Sequence, residues 1–168
     1  MKKIKLTQGQ FALVDDEDFD KLNKSKWSIN RHGKNYYRPK NSRNMLMSRI
    51  IMNPPKGMVV DHINHDTLDN RKCNLRICSQ TENMMNKKLY KNNEIGFKGV
   101  SKTISKYKGK ERISYVAQLK SDNDKRYLGI FKNPIDAAKK YDEAVIKHFG
   151  EFGLTNEKLG LFTIINFK

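Results

Sequence analysis

Four residues near the middle of the chain, Asp61, His62, Asn74 and Asn83, have the types and spacing that phosphodiester hydrolysis needs. Asp61 and His62 end a short apolar run, Met58-Val59-Val60. Neighbouring side chains of a strand leave opposite faces, so the carboxylate serves one face and the imidazole the other. Ser79-Gln80-Thr81-Glu82 has capping-box spacing, which starts a helix and puts Asn83 one turn into it. When that helix packs on the strand, the Asp61 carboxylate and the Asn83 amide oxygen converge on one cation. Two protein oxygens, completed by water and a phosphate oxygen, suit a hard divalent ion such as Mg2+, with Mn2+ able to substitute. Imidazole has an ordinary pKa of about 6.5, so a neutral His62 is available at physiological pH to deprotonate water. Asn74 fixes the intervening loop and orients His62 through backbone hydrogen bonds. An oriented base beside a metal site describes metal-assisted hydrolysis.

The neighbouring polar residues read differently. His65 is a solvated loop residue, and Asp66, Asp69 and Asn70 are turn caps. Cys73 and Cys78 lack the second pair that a zinc site requires and read as packing residues. With these two cysteines alone, a disulfide framework is excluded and a reducing compartment is expected.

The elements around this centre follow from local signals. Residues 10–14 predict a strand, and Asp15-Asp16-Glu17-Asp18 places acids in the first turn of a helix reaching about residue 24. Strands over 27–30 and 36–38 flank a basic turn containing His32-Gly33. Residues 45–52 predict a buried helix or strand, and Asn53-Pro54-Pro55-Lys56-Gly57 breaks the chain. A strand at 58–63, a loop to about 72, a strand at 74–78 and a helix from Ser79 to about 88 follow. After a polar linker, a strand is expected at 96–101. Ile113, Tyr115, Ala117 and Leu119 alternate with polar residues as a second strand whose apolar face meets a helix. A turn at 121–124 and a third strand at 125–131 complete the sheet. Asn133-Pro134 supplies a cap and a first-turn proline, Ala138, Tyr141, Val145 and His148 form the helix stripe, and Gly150 closes it. The fold class is α+β. It comprises a β-rich module over 1–57, a ββα finger over 58–91, a three-stranded antiparallel sheet on one helix over 96–157, and a tail over 158–168.

Two resemblances sharpen this reading. Val60-Asp61-His62-Ile63-Asn64, Asn70-Arg71-Lys72-Cys73-Asn74-Leu75-Arg76 and Gln80-Thr81-Glu82-Asn83 resemble the HNH motif, the His-Me or ββα-metal finger, in the version of phage and intron-encoded homing endonucleases. Thr7-Gln8-Gly9-Gln10-Phe11-Ala12-Leu13-Val14 resembles the N-terminal signature of the same proteins. The resemblance implies His62 as general base, Asn74 as its structural partner, and Asp61 with Asn83 as ligands of a single divalent metal. Asn83 stands where many such proteins place a histidine. Gly96-Phe97-Lys98-Gly99-Val100, Tyr127-Leu128-Gly129-Ile130-Phe131 and Ala137-Ala138-Lys139-Lys140-Tyr141-Asp142 resemble the APETALA/ethylene-response-factor domain, which implies a sheet laid into the DNA major groove.

The charge supports a polyanionic partner. The chain carries a net +16, split as +8 over residues 1–60, +1 over 61–95 and +7 over 96–168. Basic flanks around a near-neutral centre fit double-stranded DNA with a metal site between. Lys98, Gln118, Lys120, Lys125 and Tyr127 are the candidate contacts of the last sheet. Arg49 and Arg76, and less directly Arg31, Lys34, Arg38 and Arg43, are candidates elsewhere. Residues 98–112 hold six basic residues and one acidic residue. No apolar run is long enough to span a bilayer, and the N-terminus lacks a signal peptide's apolar stretch, so a cytoplasmic protein of a bacterial host or phage-infected cell is expected. No protein partner is implied, and a monomer is expected. The expected activity is site-specific DNA cleavage of homing type. The alternatives are a non-enzymatic DNA-binding regulator and a restriction-type or nonspecific nuclease.

Overall fold

Charged and apolar residues alternate over Lys3, Ile4, Lys5 and Leu6, and this buries Ile4 between exposed neighbours in strand β1 (Lys2–Lys5). β1 pairs antiparallel with β2 (Phe11–Val14), where Ala12 and Val14 turn inward. The computed structural model describes residues 1–31, 37–121 and 124–164. The predicted turn at His32-Gly33, Lys34, the Arg31 side chain, the centre of the 121–124 turn and the end of the tail lie outside the described residues.

The chain divides into two compact units, Met1–Asn83 and Met84–Lys168. In the first, α1 (Asp16–Asn23) begins with Asp16, Glu17 and Asp18, where carboxylates favour the helix N-terminus. β3 (Trp27–Arg31) pairs with β4 (Tyr37–Asn41). Residues 45–52, which were ambiguous by pattern, form α2 (Met47–Met52), closed by Asn53 in the left-handed region ahead of Pro54. Ile4, Leu6, Ala12, Val14, Leu22, Trp27, Ile29 and Met47 form one core. Trp27 lies within it and donates its Nε1–H to Leu22 O at 2.8 Å. β5 (Val59–His62) and β6 (Leu75–Cys78) then pair antiparallel, with Asp61 opposite Arg76 and His62 opposite Leu75.

α3 (Gln80–Met85) starts as its capping box requires. Ser79 N and Oγ donate to Glu82 Oε2 at 2.7 and 2.8 Å, and Glu82 N donates to Ser79 Oγ at 3.2 Å. The helix stops at Met85, short of the predicted 88. Met85 O there accepts from Leu154 N at 3.2 Å and from Lys98 Nζ at 3.0 Å, so the helical ladder ends in tertiary bonds.

In the second unit, β7 (Val100–Tyr107), β8 (Lys110–Ser121) and β9 (Asp124–Phe131) form the expected three-stranded antiparallel sheet. α4 (Pro134–Phe149) packs on it. Asn133 Oδ1 caps α4 by accepting from Ile135 N at 2.9 Å. Ala117, Leu119, Ala138, Tyr141 and Val145 are buried, as the patterning predicted. Two expectations are corrected. The first strand begins at Val100 rather than 96, because residues 93–97 are used as a turn: Gly96 N donates to Asn93 Oδ1 at 2.7 Å and Asn93 Nδ2 to Phe97 O at 2.9 Å. His148 leaves the buried stripe; it is exposed and meets the Arg126 guanidinium at 2.7 Å. Gly99, at φ +71°, sits so close under the Tyr141 ring that a Cβ would lie 1.9 Å from Cδ2. A final turn, α5 (Leu161–Ile164), brings the Phe162 ring to 5.5 Å from that of Phe97.

Candidate active site

The loop between β5 and β6 is polar, and side-chain-to-backbone bonds hold its shape. Asn74 is buried and works as a staple: its Oδ1 accepts from Asn64 N at 2.9 Å and its Nδ2 donates to Asp69 O at 2.8 Å. Asp69 is buried beneath Arg71, which grips it with two bonds of 2.7 Å and holds its carboxyl below the ordinary carboxylate range. Asp66 closes its own turn by accepting from Leu68 N at 2.9 Å. The caps expected at Asp66 and Asp69 therefore do local structural work.

The first strands of the unit brace the same loop. Leu13 N donates to Leu68 O, and Asn70 N donates to Leu13 O, both at 2.8 Å, as a short parallel ladder. Thr67 Oγ1 donates to Tyr37 O. Lys72 N donates to Asp15 Oδ2 at 2.7 Å, and Lys72 Nζ lies 2.5 Å from Glu17. The loop over residues 64–72 is thus shaped together with β2, β4 and the start of α1.

His62 is half-buried at the end of β5. Burial lowers its pKa below the usual imidazole value, although Asn70, Asp61, Asp66 and Asp69 all pull the other way. Its Nε2 lies 3.4 Å from Asn70 Oδ1, a long contact. Asn70 is itself fixed, because its Nδ2 donates to Thr67 O at 3.1 Å. The sequence marks Asn70 only as a turn residue; its second role needs the loop closed around His62.

Asp61 is 6% exposed and faces Arg76, its cross-strand neighbour, whose Nε and Nη2 donate to Asp61 Oδ2 at 3.0 and 2.8 Å. Asn83 is half-buried in the first turn of α3, where its N donates to Ser79 O at 3.1 Å. Asp61 and Asn83 offer hard oxygen donors, the chemistry a divalent cation of the magnesium type prefers. Among the described residues no three His, Cys, Asp or Glu side chains converge on a point. The donor set expected here, one carboxylate and one amide, is sparser than that and fits an ion that keeps water and substrate oxygens. A cation would share Asp61 with the Arg76 guanidinium. Cys78 is buried, its thiol pushed up to about 11 by desolvation, while Cys73 is exposed; both are free thiols.

The candidate DNA contacts fall into two groups. Gln118 pairs with Tyr127 and Lys120 with Lys125 across β8 and β9, so all four share the sheet face turned away from buried Ala117 and Leu119. Lys120, Lys125 and Tyr127 are exposed and Gln118 is half-buried. The others are engaged by the protein. Lys98 Nζ donates to Met85 O and Leu154 O at 3.0 and 2.7 Å, and burial pulls it down to about 8. Arg49 Nη1 donates to Met58 O at 3.0 Å, just ahead of β5. Arg76 holds Asp61. Arg38 and Arg43 are exposed.

A family model of HNH endonucleases matches residues 53–85. The matched stretch contains Asp61, His62, Asn74 and Asn83. Over 157 residues the chain is 26% identical to an uncharacterized HNH endonuclease of Acanthamoeba polyphaga mimivirus, covering 89% of this chain and 76% of that protein. No solved structure matches significantly. The chain is therefore similar to HNH endonucleases, a family that suggests DNA cleavage and generally uses a divalent metal. No helix among the described residues is long and apolar enough to cross a membrane.

Proposed function

We propose that this chain is a metal-dependent DNA endonuclease of homing type, with the nuclease finger over 58–91 and an APETALA-type DNA-binding module over 96–157. The observation that carries the reading is the placement of His62: half-buried, drawn toward the neutral form, one residue from a buried carboxylate, in a loop that polar bonds hold fixed. A neutral imidazole there accepts the proton of an attacking water. Asn70 Oδ1 can only accept a hydrogen bond, and its amide orientation is set by Thr67 O. His62 therefore carries its ring proton on Nε2, and Nδ1 keeps the lone pair. Asn74 maintains the loop that presents Asn70. When bound, a divalent ion held by Asp61 and Asn83, Mg2+ with Mn2+ substituting, supplies electrophilic stabilisation to the phosphate and the leaving 3′ oxygen.

Gln118 and Tyr127 supply base-edge and apolar contacts on the sheet face, and Lys120 and Lys125 hold phosphates. Arg49 and Arg76 add cationic contacts beside β5. Lys98 serves this face by anchoring the start of β7. The partner is double-stranded DNA, met by a monomer in the cytoplasm of a bacterial host or phage-infected cell.

One observation favours a second reading, a non-enzymatic DNA-binding regulator: the Arg76 guanidinium already neutralises Asp61. Plasmid nicking with magnesium or manganese, with and without chelator, separates the two. Metal-dependent, chelator-sensitive nicking supports the nuclease, and tight DNA binding with no nicking in either metal supports the regulator. Mapping the cuts on a long substrate separates one homing locus from the scattered products of a nonspecific enzyme.

A further inference from the structure

Asp61 and Arg76 stand opposite each other in the β5–β6 pair, so their side chains leave the same face of it. The guanidinium meets the carboxylate side-on: Nε and Nη2 both donate to Oδ2, at 3.0 and 2.8 Å. Both side chains are withdrawn from water, Arg76 being 12% and Asp61 7% exposed. A buried carboxylate without a counter-charge is strongly destabilising, so the fold needs a cation at this point. Arg76 is that cation.

The charge count sets the terms for a metal. Asp61 and Arg76 sum to zero, and Asn83 brings no charge. The next carboxylate of the loop, Asp69, is gripped by Arg71 through two bonds of 2.7 Å. A divalent ion entering this site therefore leaves two positive charges in surplus. If ion and guanidinium both kept the Asp61 carboxylate, they would stand about 4–5 Å apart, a distance at which charges sheltered from water repel strongly. The phosphates of bound DNA remove the surplus, and a guanidinium pairs with phosphate in the same forked geometry as with carboxylate.

We propose that Arg76 is a built-in stand-in for the metal ion. It holds Asp61 until duplex DNA binds, then turns to a phosphate of the DNA and leaves the carboxylate to the ion. Metal affinity is thereby linked to DNA: the divalent ion binds tightly on the protein–DNA complex and weakly on the protein by itself. The chain then carries no loaded hydrolytic centre away from its substrate. This inference rests on the metal-dependent nuclease reading and adds to it the linkage between metal and DNA. The other role open to the same contact, a permanent neighbour that orients Asp61 for the ion, predicts the opposite sign when Arg76 is removed.

The test measures Mn2+ bound to the full chain from the EPR signal of the free ion, with and without a duplex, in a His62→Ala background that keeps the DNA intact. Mn2+ bound to duplex alone is subtracted, and D61N identifies the ion held at this site. Two neutral variants, R76Q and R76M, and the charge-conserving R76K are compared with the Arg76 chain, and a melting curve shows whether each is folded. Without DNA, the neutral variants are expected to bind Mn2+ about tenfold or more tightly than the Arg76 chain, and R76K to stay within about threefold of it. The duplex is expected to tighten Mn2+ binding about tenfold or more in the Arg76 chain and by a smaller factor in the neutral variants; Mn2+ then tightens duplex binding by the same factor as the duplex tightens Mn2+. Mn2+ affinity unchanged or weaker in the neutral variants would overturn the stand-in and make Arg76 a permanent support of Asp61, with the nuclease reading intact. If neither neutral variant folds without metal, refolding by Mn2+ supports the proposal, because the ion replaces the missing cation, and no refolding overturns it. No Mn2+ held at Asp61 in any chain, with or without duplex, would overturn the proposal together with the reading beneath it.

Discussion

The finger loop and the sheet-on-helix unit are held in different ways. Residues 62–74 contain few buried apolar side chains; asparagines, aspartates, Thr67 and backbone borrowed from β2 and β4 hold them. The second unit is held by apolar contact between α4 and the sheet. It is closed by one buried polar cluster in which Asp142 accepts from Asn156 N, Asn156 Nδ2 and Glu157 N at 2.8–3.0 Å. Directional bonds fix atoms to a few tenths of an ångström, which a catalytic base needs. Apolar packing fixes a surface, which suits a binding platform. Damage should therefore appear first as lost activity in the finger and first as lost stability in the second unit.

The most disruptive change tests the packed side. Gly99→Ala places a methyl group inside the Tyr141 ring at a backbone conformation that alanine resists. We expect a loss of more than about 4 kcal/mol, read as an early, separate melting step for the second unit. An unchanged melt would mean that this unit packs more loosely than described. Asn74→Ala tests the polar side. It leaves Asn64 N and Asp69 O without their partners, and cleavage should fall about a hundredfold while duplex affinity stays within a factor of a few. If affinity falls in step with cleavage, the loop belongs to binding rather than to chemistry.

The second unit should also carry a pH signature of its own. Lys98 titrates near 8 when folded and near 10.5 when unfolded, so between those values the unfolded chain holds more protons. Stability is therefore flat below pH 8 and rises toward pH 10. Lys98→Met should remove the rise in a pH series of thermal melts; a rise that survives must come from another group. The smallest expected effect is Thr67→Val, which keeps the shape and loses the bond to Tyr37 O. About 1 kcal/mol of stability and a few-fold in cleavage are expected. A loss as large as that of Asn74→Ala would mean that the bracing strands act directly on the site.

The same contrast explains what could be read from the chain. Ile113, Tyr115, Ala117 and Leu119 announce their strand through apolar residues at every second position, of which Ala117 and Leu119 are buried, and Asn133-Pro134 and Ser79–Glu82 announce helix starts through contacts two and three residues away. Those signals are local. The Leu13–Asp69 ladder, the Asp61–Arg76 pair and the approach of Asn70 to His62 join residues whose meeting depends on strand register and loop closure, which no short window contains. Lys98 looks like any surface lysine until Met85 and Leu154 are brought to its amine. The first strand runs on past the expected residue 101 to Tyr107, although Lys102, Ser105 and Lys106 carry no apolar alternation; pairing with β8, rather than burial, makes them strand.

The central claim is that His62 takes the proton from water. Single-turnover cleavage of a labelled duplex by wild-type and His62→Ala chains in magnesium, with affinity measured alongside, tests it most directly. The account predicts a fall of about a hundredfold to ten-thousandfold in the cleavage rate with affinity unchanged. Cleavage within a few-fold of wild type would contradict it.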